Sequence, residues 1–393
     1  MPQSPAGATN FVLQESIGAL VDEKYTNAKK LSGTGIVSGN PDIDVNTETF
    51  IGQMRWYQPL NPTINVASLT DSTAGTKTDT AQTYLNYVKT VRTHGAERVN
   101  LQEIVTQKNK LDKIASDFTE TRAQDEHNAI LAVLKGVAIS ELLYGAGSAS
   151  GSNGLGGQTF DNDPTDLKYG FYVDLGSSKT IIDASATAQG AQRAENFLKA
   201  FGMGFKDYEP DYAYLVVGPE TMASLRSANL VDSTTVVEGN VTFNTIFGGK
   251  FRLIQTRATQ MITSAQRTKI NTGSGVDLVG TKCSFIVLPG ALAFEPLMIP
   301  KDIGVKEDPG AYMGGGTEEI WYRWGYILHP AGYNWAGSQI KFPSDAEYGY
   351  GVTSGTTFAD VSTIADGMAN TTGSWTRKVK SALSLGILPV FHS

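Results

Sequence analysis

The longest helix-compatible segment of the chain lies between Gly95 and Gly136, which enclose neither glycine nor proline. Apolar residues recur there at spacings of three and four, as they do on one face of an amphipathic helix. At about 1.5 Å per residue, a helix from Leu101 to Leu134 would be roughly 50 Å long, so it would brace an elongated subunit. The apolar positions are Leu101, Ile104, Val105, Leu111, Ile114, Ala115, Phe118, Ala129, Ile130, Val133, Leu134 and Val137.

Two strand-like segments precede this helix. Thr49 to Tyr57 and Thr83 to Val91 contain many β-branched and aromatic residues, and the second alternates apolar and polar positions. Between them, Asn61 to Thr80 is rich in Thr, Ser and Asp. The pattern predicts a long two-stranded loop with an exposed tip.

Polar and glycine-rich segments divide the rest of the chain. Met1 to Asn46 contains one short amphipathic helix around Leu13 to Lys30 and otherwise no core-like pattern, which predicts an extended arm. Gly145 to Gln158 is a linker of Gly and Ser, and the loop-rich region up to Thr187 has short strands at Tyr169 to Leu175 and Thr180 to Asp183. We interpret this region as an insertion.

A second folded unit follows, in which short helices and strands alternate. Pro219 at a helix start and the apolar run Ala213 to Val217 are its clearest signals. Such a mixture predicts an α+β domain. The predicted helices are Ala191 to Phe201 and Pro219 to Ser227, and the predicted strands are Ala213 to Val217, Asn240 to Ile246, Lys250 to Gln255 and Ser284 to Leu288.

The last part of the chain contains two further strand signals. Ile320 to Leu328 is aromatic and β-branched, and His329, Pro330 and Gly332 form a turn signal that ends it. Trp375 to Phe391 is predicted to close the chain with one strand.

The composition excludes several classes of protein. The 32 Lys and Arg stand against 39 Asp and Glu, a net charge of -7, which argues against a tight nucleic-acid or anionic-membrane binder. No apolar run approaches the roughly 18 residues of a membrane span, and no secretory leader is recognisable. The single cysteine, Cys283, is expected to be a small buried thiol in a reducing compartment.

The residues that could carry catalysis are few and scattered, so we expect no enzyme, cofactor or metal site. None of the four histidines, His94, His127, His329 and His392, has a partner at metal-ligand spacing. His329 is interpreted as a hydrogen-bonded structural histidine rather than a general base.

Two polar segments invite ligand-binding interpretations. Gly151 to Gly157 lacks the Lys-Ser/Thr of a phosphate loop, which favours a linker. Asp161, Asp163 and Asp166 surround Pro164 without the glycine and glutamate of a calcium loop. They predict a solvated loop, with adventitious divalent binding as the alternative.

Five segments in order carry a resemblance to a known family. Glu318 to Gln339, EEIWYRWGYILHPAGYNWAGSQ, looks like the "R-x-x-Y-x-(I/V/L)-H-P-x-G-(Y/F)-x-W" segment of tailed-bacteriophage major capsid proteins. Within Tyr212 to Val231, the segment similar to the A domain of that family, Gly218 replaces the usual His-like residue. The other similar segments are Ile130 to Val137 at the end of the spine helix, Tyr212 to Val231 in the A domain, Phe247 to Ile254, and Asn370 to Phe391.

The resemblance implies the α+β capsid fold named after phage Hong Kong 97. It implies an N-terminal arm over residues 1–46, an E-loop over 47–98 and a P-domain spine helix over 99–146. An insertion over 147–187, an A domain over 188–300 and a return to the P domain with the C-terminal strand over 301–393 complete the assignment. The implied function is the icosahedral shell around double-stranded DNA, and an encapsulin-like compartment shell is the alternative.

The same resemblance implies the partners of the chain. They are copies of itself in hexamers and pentamers, with scaffold, portal and possible cement proteins, and DNA through weak contacts only, in a virion assembled in the host cytoplasm. Scaffold would be a separate protein or a removed leading segment. The candidate contacts between subunits are Arg55, Trp56, Tyr57, Lys77, Arg92, Phe118, Arg323 and Trp324.

Two clusters of aromatic and basic residues have an alternative interpretation. Arg55 to Tyr57 and Tyr322 to Trp324 could form stacking platforms for single-stranded nucleic acid. Alternation along strands, with an arginine at a subunit boundary, is the simpler interpretation of both.

Overall fold

The structure is a computed structural model, and it describes the residues on which the following account rests. They are residues 17, 19–25, 29–46, 48–57, 82–99, 111–147, 172–174, 197–198, 200–202, 205, 210–238, 241–257, 262, 282–310, 316–337, 342–349, 352–353, 371–372, 374–377 and 385–392.

The described residues mix helices with sheets, which confirms the α+β class. The helices are Leu111–Gly147, Pro219–Ser227 and Asp345–Gly349, with a 3-10 turn at Leu31–Gly33 and further helical residues at 19–25 and 200–202. Besides the two large sheets described below, short ladders pair Tyr333–Trp335 with Trp375–Arg377 and Val352–Thr353 with Thr371–Thr372.

The first large sheet contains six strands within the described part of the chain. Its longest member is Gln82–Val99, here called the shared strand, which continues well beyond the predicted end at Val91. The extension forms because Lys89 to Val99 pairs antiparallel with Thr317 to Ile327. In order the strands are Val37–Ser38, Leu292–Pro296, Thr317–Pro330, the shared strand and Ile51–Tyr57, and Ile303–Asp308 also pairs with Thr317–Pro330.

The long helix Leu111–Gly147 packs against this sheet and continues past Gly136, where the predicted window ended. Gly136 is tolerated because the helix Asp345–Gly349 approaches it directly. A Cβ added there would lie 1.9 Å from the carbonyl oxygen of Tyr348. The predicted start at Leu101 lies outside the described residues.

The second large sheet has seven strands in the described part of the chain. Its centre, Ala213–Val217, is fully buried, and Pro219–Ser227 follows it, so both elements are confirmed at their predicted bounds. The order is Val173–Asp174, Ile387–His392, Lys282–Val287, Ala213–Val217, Phe251–Gln255, Val241–Ile246 and Thr235–Glu238.

The N-terminal segment contains the predicted amphipathic helix among its described residues, and this part of the segment packs on its own subunit. Ile17, Val21 and Tyr25 are buried at a spacing of four, and the Tyr25 hydroxyl donates to Glu126 Oε1 at 2.5 Å. Helical spacing presents these three side chains on one face, so they dock together.

The C-terminal segment corrects an expectation, since Trp375 to Phe391 is not one strand. Trp375–Arg377 pairs with Tyr333–Trp335, whereas Ile387–His392 pairs with Lys282–Val287 in the seven-stranded sheet. The two pieces pack in different places. The Trp375 ring lies 5.0 Å from that of Trp335, while every residue of Ile387–His392 is buried in the second sheet.

Candidate subunit-contact surfaces

At one end of the six-stranded sheet, the first half of the shared strand pairs with the edge strand to form a two-stranded arm, defined as Ile51–Tyr57 paired with Gln82 to Val88. One face of the arm is apolar and closed. Met54, Leu85 and Tyr87 are buried there with Ile43. Gly52 lies beneath the Tyr87 ring, where an added Cβ would meet a ring carbon at 2.1 Å. This face fixes the arm to its own subunit.

The opposite face of the arm is open. Arg55 is exposed and lies across from Tyr84, which keeps 55% of its surface accessible. Exposed Gln53 lies across from Asn86, whose backbone N–H donates to Asn334 Oδ1 at 2.7 Å. Arginine and tyrosine are side chains favoured in protein interfaces, so this face is a candidate contact surface.

A partly buried polar cluster holds the shared strand to the long helix. Arg92 donates to Asp125 Oδ1 at 3.3 Å, to Asp345 Oδ1 at 3.2 Å and to the Pro343 carbonyl at 2.5 Å. The second oxygen of Asp125 accepts the Trp324 indole N–H at 2.9 Å.

The electrostatics of this cluster follow from its burial. Burial, and then the charge of Asp125, raise the pKa of Asp345, and Arg92 opposes that shift. The arginine therefore stabilises two carboxylates that would otherwise repel each other. These two ion pairs explain why the charged side chain of Arg92 occurs within the six-stranded sheet.

Three of the candidate contact residues pack within their own chain. Phe118 is fully buried and stacks on Tyr322, with ring centroids 5.6 Å apart. Arg92 belongs to the polar cluster, and Trp324 is only 5% exposed. The helical spacing at Phe118 and the strand alternation at Arg92 and Trp324 show that a face packs, but not whether it packs on its own chain.

The nucleic-acid platform at Tyr322 to Trp324 is excluded by the same packing. The rings of Tyr322 and Trp324 stack 5.3 Å apart, but both side chains are buried and cannot receive bases. Arg323 is half-buried and donates to the Lys301 carbonyl at 2.7 Å. The side chains of Trp56 and Tyr57, and the whole of Lys77, lie outside the described residues.

Two exposed apolar side chains were not predicted from the sequence. Trp321 is 48% exposed, and its indole covers Gly95 of the shared strand, while Met298 is 95% exposed. Trp321 could have been found, because it alternates with the buried residues Ile320 and Tyr322. Met298 follows a strand end and gives no comparable signal.

The described side chains offer little for catalysis. His329 is fully buried, neither ring nitrogen has a hydrogen bond of good geometry, and burial lowers its pKa to about 3 despite the nearby Tyr333 backbone. The Tyr333 backbone is nevertheless the hydrogen-bonding partner of this structural histidine. Burial also raises the pKa of the Cys283 thiol, so that it remains protonated and unreactive at neutral pH.

Metal and membrane sites were also sought among the described residues. They contain no group of three or more His, Cys, Asp or Glu that could hold a metal. No helix among them is long and apolar enough to cross a bilayer.

Comparison with known proteins gave structural likenesses only. No family model matches the chain, and no curated protein matches it. The capsid of Ralstonia phage GP4 aligns over 76% of this chain and 83% of its own, with 11% identity and a TM-score of 0.45.

Two further solved structures align over more of the chain. The head structure of Helicobacter pylori bacteriophage KHP40 aligns over 91% of this chain and 90% of its own, with 10% identity and a TM-score of 0.42. Mycobacterium phage Bobi aligns over 93% and 92%, with 12% identity and a TM-score of 0.38. All three come from bacteriophages, the source of the family that the sequence motifs resemble. Because their TM-scores lie below 0.5, they carry no conclusion about this chain.

Proposed function

We propose that this chain is the major capsid protein of a tailed bacteriophage and that it assembles into an icosahedral shell around double-stranded DNA. Its role is geometric, without catalysis or a cofactor. The five ordered sequence motifs support this function, with the His329–Pro330 segment the most specific of them.

The observation that carries the proposal is the shared strand. One half lies inside a sheet that packs on a long helix, and the other half forms an arm with Arg55 and Tyr84 open to solvent. Arginine and tyrosine are favoured in protein interfaces, and a shell subunit would use this face of the two-stranded extension to hold its neighbour.

The domain assignment is part of the same proposal. Residues 1–46 serve as the N-terminal arm, 47–98 as the E-loop, 99–146 as the spine helix and 147–187 as an insertion. Residues 188–300 form the A domain, and 301–393 return to the P domain and end in the C-terminal strand. Arg55, Trp56, Tyr57, Lys77 and Arg323 remain candidate contacts, while Arg92, Phe118 and Trp324 position the elements that carry them.

The proposed partners follow from the shell. Copies of the chain form hexamers and pentamers, in which many modest contacts give a subunit multivalent stability. Scaffold, portal and possible cement proteins complete the particle, which assembles in the host cytoplasm. DNA makes only weak contacts with the wall, consistent with the charge of -7.

Electron microscopy of the protein expressed with its scaffold tests the proposal. We expect closed shells with hexameric and pentameric capsomers, and double-stranded DNA inside native particles. Native shells filled with protein cargo and free of DNA would instead identify a compartment protein. Sedimentation as monomers or dimers under all conditions would contradict both functions.

A further inference from the structure

The outer face of the six-stranded sheet carries an exposed tryptophan between two glycines. Trp321 lies across from Gly95 of the shared strand on one side and from Gly304 on the other. Its indole covers Gly95, whereas a Cβ added at Gly304 would have nothing within 4 Å. Trp321 is 48% exposed, so the sheet leaves room for a side chain of another molecule beside the indole.

Two carboxylates lie next to this tryptophan. Glu319 and Glu97 are exposed and stand opposite each other on paired strands, on the same face as Trp321. Like charges in such a pair repel each other. Together these three residues are called the acidic face.

The cations of the same subunit do not neutralise the acidic face. Lys306 Nζ lies 3.7 Å from Glu319 Oε2, but both side chains are exposed, and an ion pair in water contributes little. Glu97 makes no ion pair among the described residues. The acidic face is therefore suited to a cationic side chain from outside, and it would repel the phosphates of nucleic acid.

The open face of the arm carries the complementary charge. Arg55 is exposed there and makes no ion pair among the described residues. Tyr84 stands across from it on the paired strand. A guanidinium can pair with carboxylates and also stack on an indole, and the acidic face offers both.

The two surfaces cannot meet within one subunit. Tyr84 and Glu97 lie near opposite ends of the shared strand, so roughly 40 Å of extended chain separates them. They are also an odd number of positions apart, which places their side chains on opposite faces of the strand. Complementary patches on opposite faces join one copy to the next head to tail, as in a heterologous contact.

We propose that Arg55 of one subunit binds the acidic face of a neighbouring copy. The guanidinium pairs with Glu97 and Glu319, and the Trp321 indole packs against it. The contact relieves the repulsion between the two carboxylates. This inference rests on the proposed function, because it names the surface that the arm would hold in the shell.

Reversal of the charges tests the contact in the protein expressed with its scaffold. Arg55→Glu should lower the yield of closed particles roughly tenfold or more, because a third carboxylate then meets two others at every repeat of the contact. The reversed acidic face, Glu97→Lys with Glu319→Lys, should have the same effect. All three substitutions combined should restore the yield, measured by sedimentation and electron microscopy.

Glu307→Lys is the matched control for these variants. Glu307 is exposed on the strand Ile303–Asp308, but it alternates with Lys306 and belongs to the other face of the sheet. This variant should assemble like the wild type. Circular dichroism and urea denaturation of the unassembled chains should be unchanged in every variant, because each altered side chain is exposed.

Two results would overturn the proposed contact while leaving the shell function intact. They are normal particles from Arg55→Glu, and no recovery of yield when both surfaces are reversed. A wild-type chain that forms no particles would contradict the shell function itself, and this contact with it.

Carbodiimide coupling tests the head-to-tail arrangement directly. The reagent joins lysine amines to carboxylates and leaves arginine unreacted, so Arg55→Lys keeps the charge and makes the contact reactive. Assembled Arg55→Lys should give a ladder of cross-linked products beyond dimers that the wild type lacks, with position 55 joined to Glu97 or Glu319 by mass spectrometry. New products that stop at dimers, or none at all, would contradict the proposal.

Discussion

At the scale of single residues, the absence of a side chain decides how closely elements approach. Gly136 lets the helix Asp345–Gly349 lie against the long helix, and Gly52 gives room to the Tyr87 ring. Both glycines lie inside regular elements, where glycine costs about 0.5–1 kcal/mol relative to alanine. Close packing at these positions offsets that cost.

Substitution of Gly136 should reveal this effect. Gly136→Ala adds a Cβ 1.9 Å from the Tyr348 carbonyl, so the two helices must separate. We expect a loss of about 2 kcal/mol in the free energy of unfolding, measured by urea denaturation, despite alanine's better helix propensity.

Gly202→Ala is the matched control for that variant. Gly202 is also helical, but nothing lies within 4 Å of the added Cβ. This variant should be neutral or more stable. Equal effects of the two substitutions would show that backbone entropy, rather than contact with Tyr348, determines the stability.

Phe118 offers a second test at this scale. Phe118→Asp would remove the ring that packs between Tyr322 and His94 and bury a carboxylate in its place, so the unfolding free energy should fall by about 4 kcal/mol or more. Particles should then fail to form. Exposed Glu120→Ala, two residues away, should change neither stability nor assembly. Normal particles from Phe118→Asp would contradict the packing described here.

At the scale of elements, the sequence predicted best where local signals agree. Ala213–Val217 and Pro219–Ser227 were predicted at their bounds, because a short apolar run is followed by proline at a helix start. Trp375 to Phe391 was not, since its two pieces pair with strands some 40 and 100 residues earlier in the chain. Pairing between residues so far apart in the chain leaves no signal in the local sequence.

The candidate contacts were predicted in part for the same reason. Apolar periodicity in the sequence correctly marks residues that lie on a packed face, as at Phe118 in the long helix and Trp324 in a strand. It cannot tell whether the other side of that contact is the same chain or a neighbour.

The segment between the two strands of the arm leads to a prediction about proteolysis. Within it, Asn61 to Thr80 contains few apolar residues that could anchor it to its own subunit. Trypsin should therefore cut the unassembled chain first at Lys77, and that site should resist cleavage in mature particles, as followed by gel electrophoresis and mass spectrometry.

Arg98 in the shared strand serves as the internal control for proteolysis. It lies in a strand paired with Glu318, so it should remain uncut in both states. Equal cleavage at Lys77 before and after assembly would mean that the segment is an ordinary surface loop and not a contact between subunits.

At the scale of the whole molecule, the N-terminal segment connects the two large sheets. Val37–Ser38 adds a strand to the six-stranded sheet, while the nearby Gly35 N–H donates to Glu238 Oε1 at 2.7 Å, in the seven-stranded sheet. The other oxygen of Glu238 accepts from Arg252 at 2.5 Å. One short stretch of chain therefore ties both sheets into a single subunit.

The shared strand gives that subunit a mechanical property. No proline interrupts Gln82–Val99, and its single glycine, Gly95, is covered by the Trp321 indole. The strand has no joint between the open face at Tyr84 and the polar cluster at Arg92. A pull on the arm by another molecule is then carried by continuous backbone to the half of the strand that pairs within the sheet and, through Arg92, to the long helix.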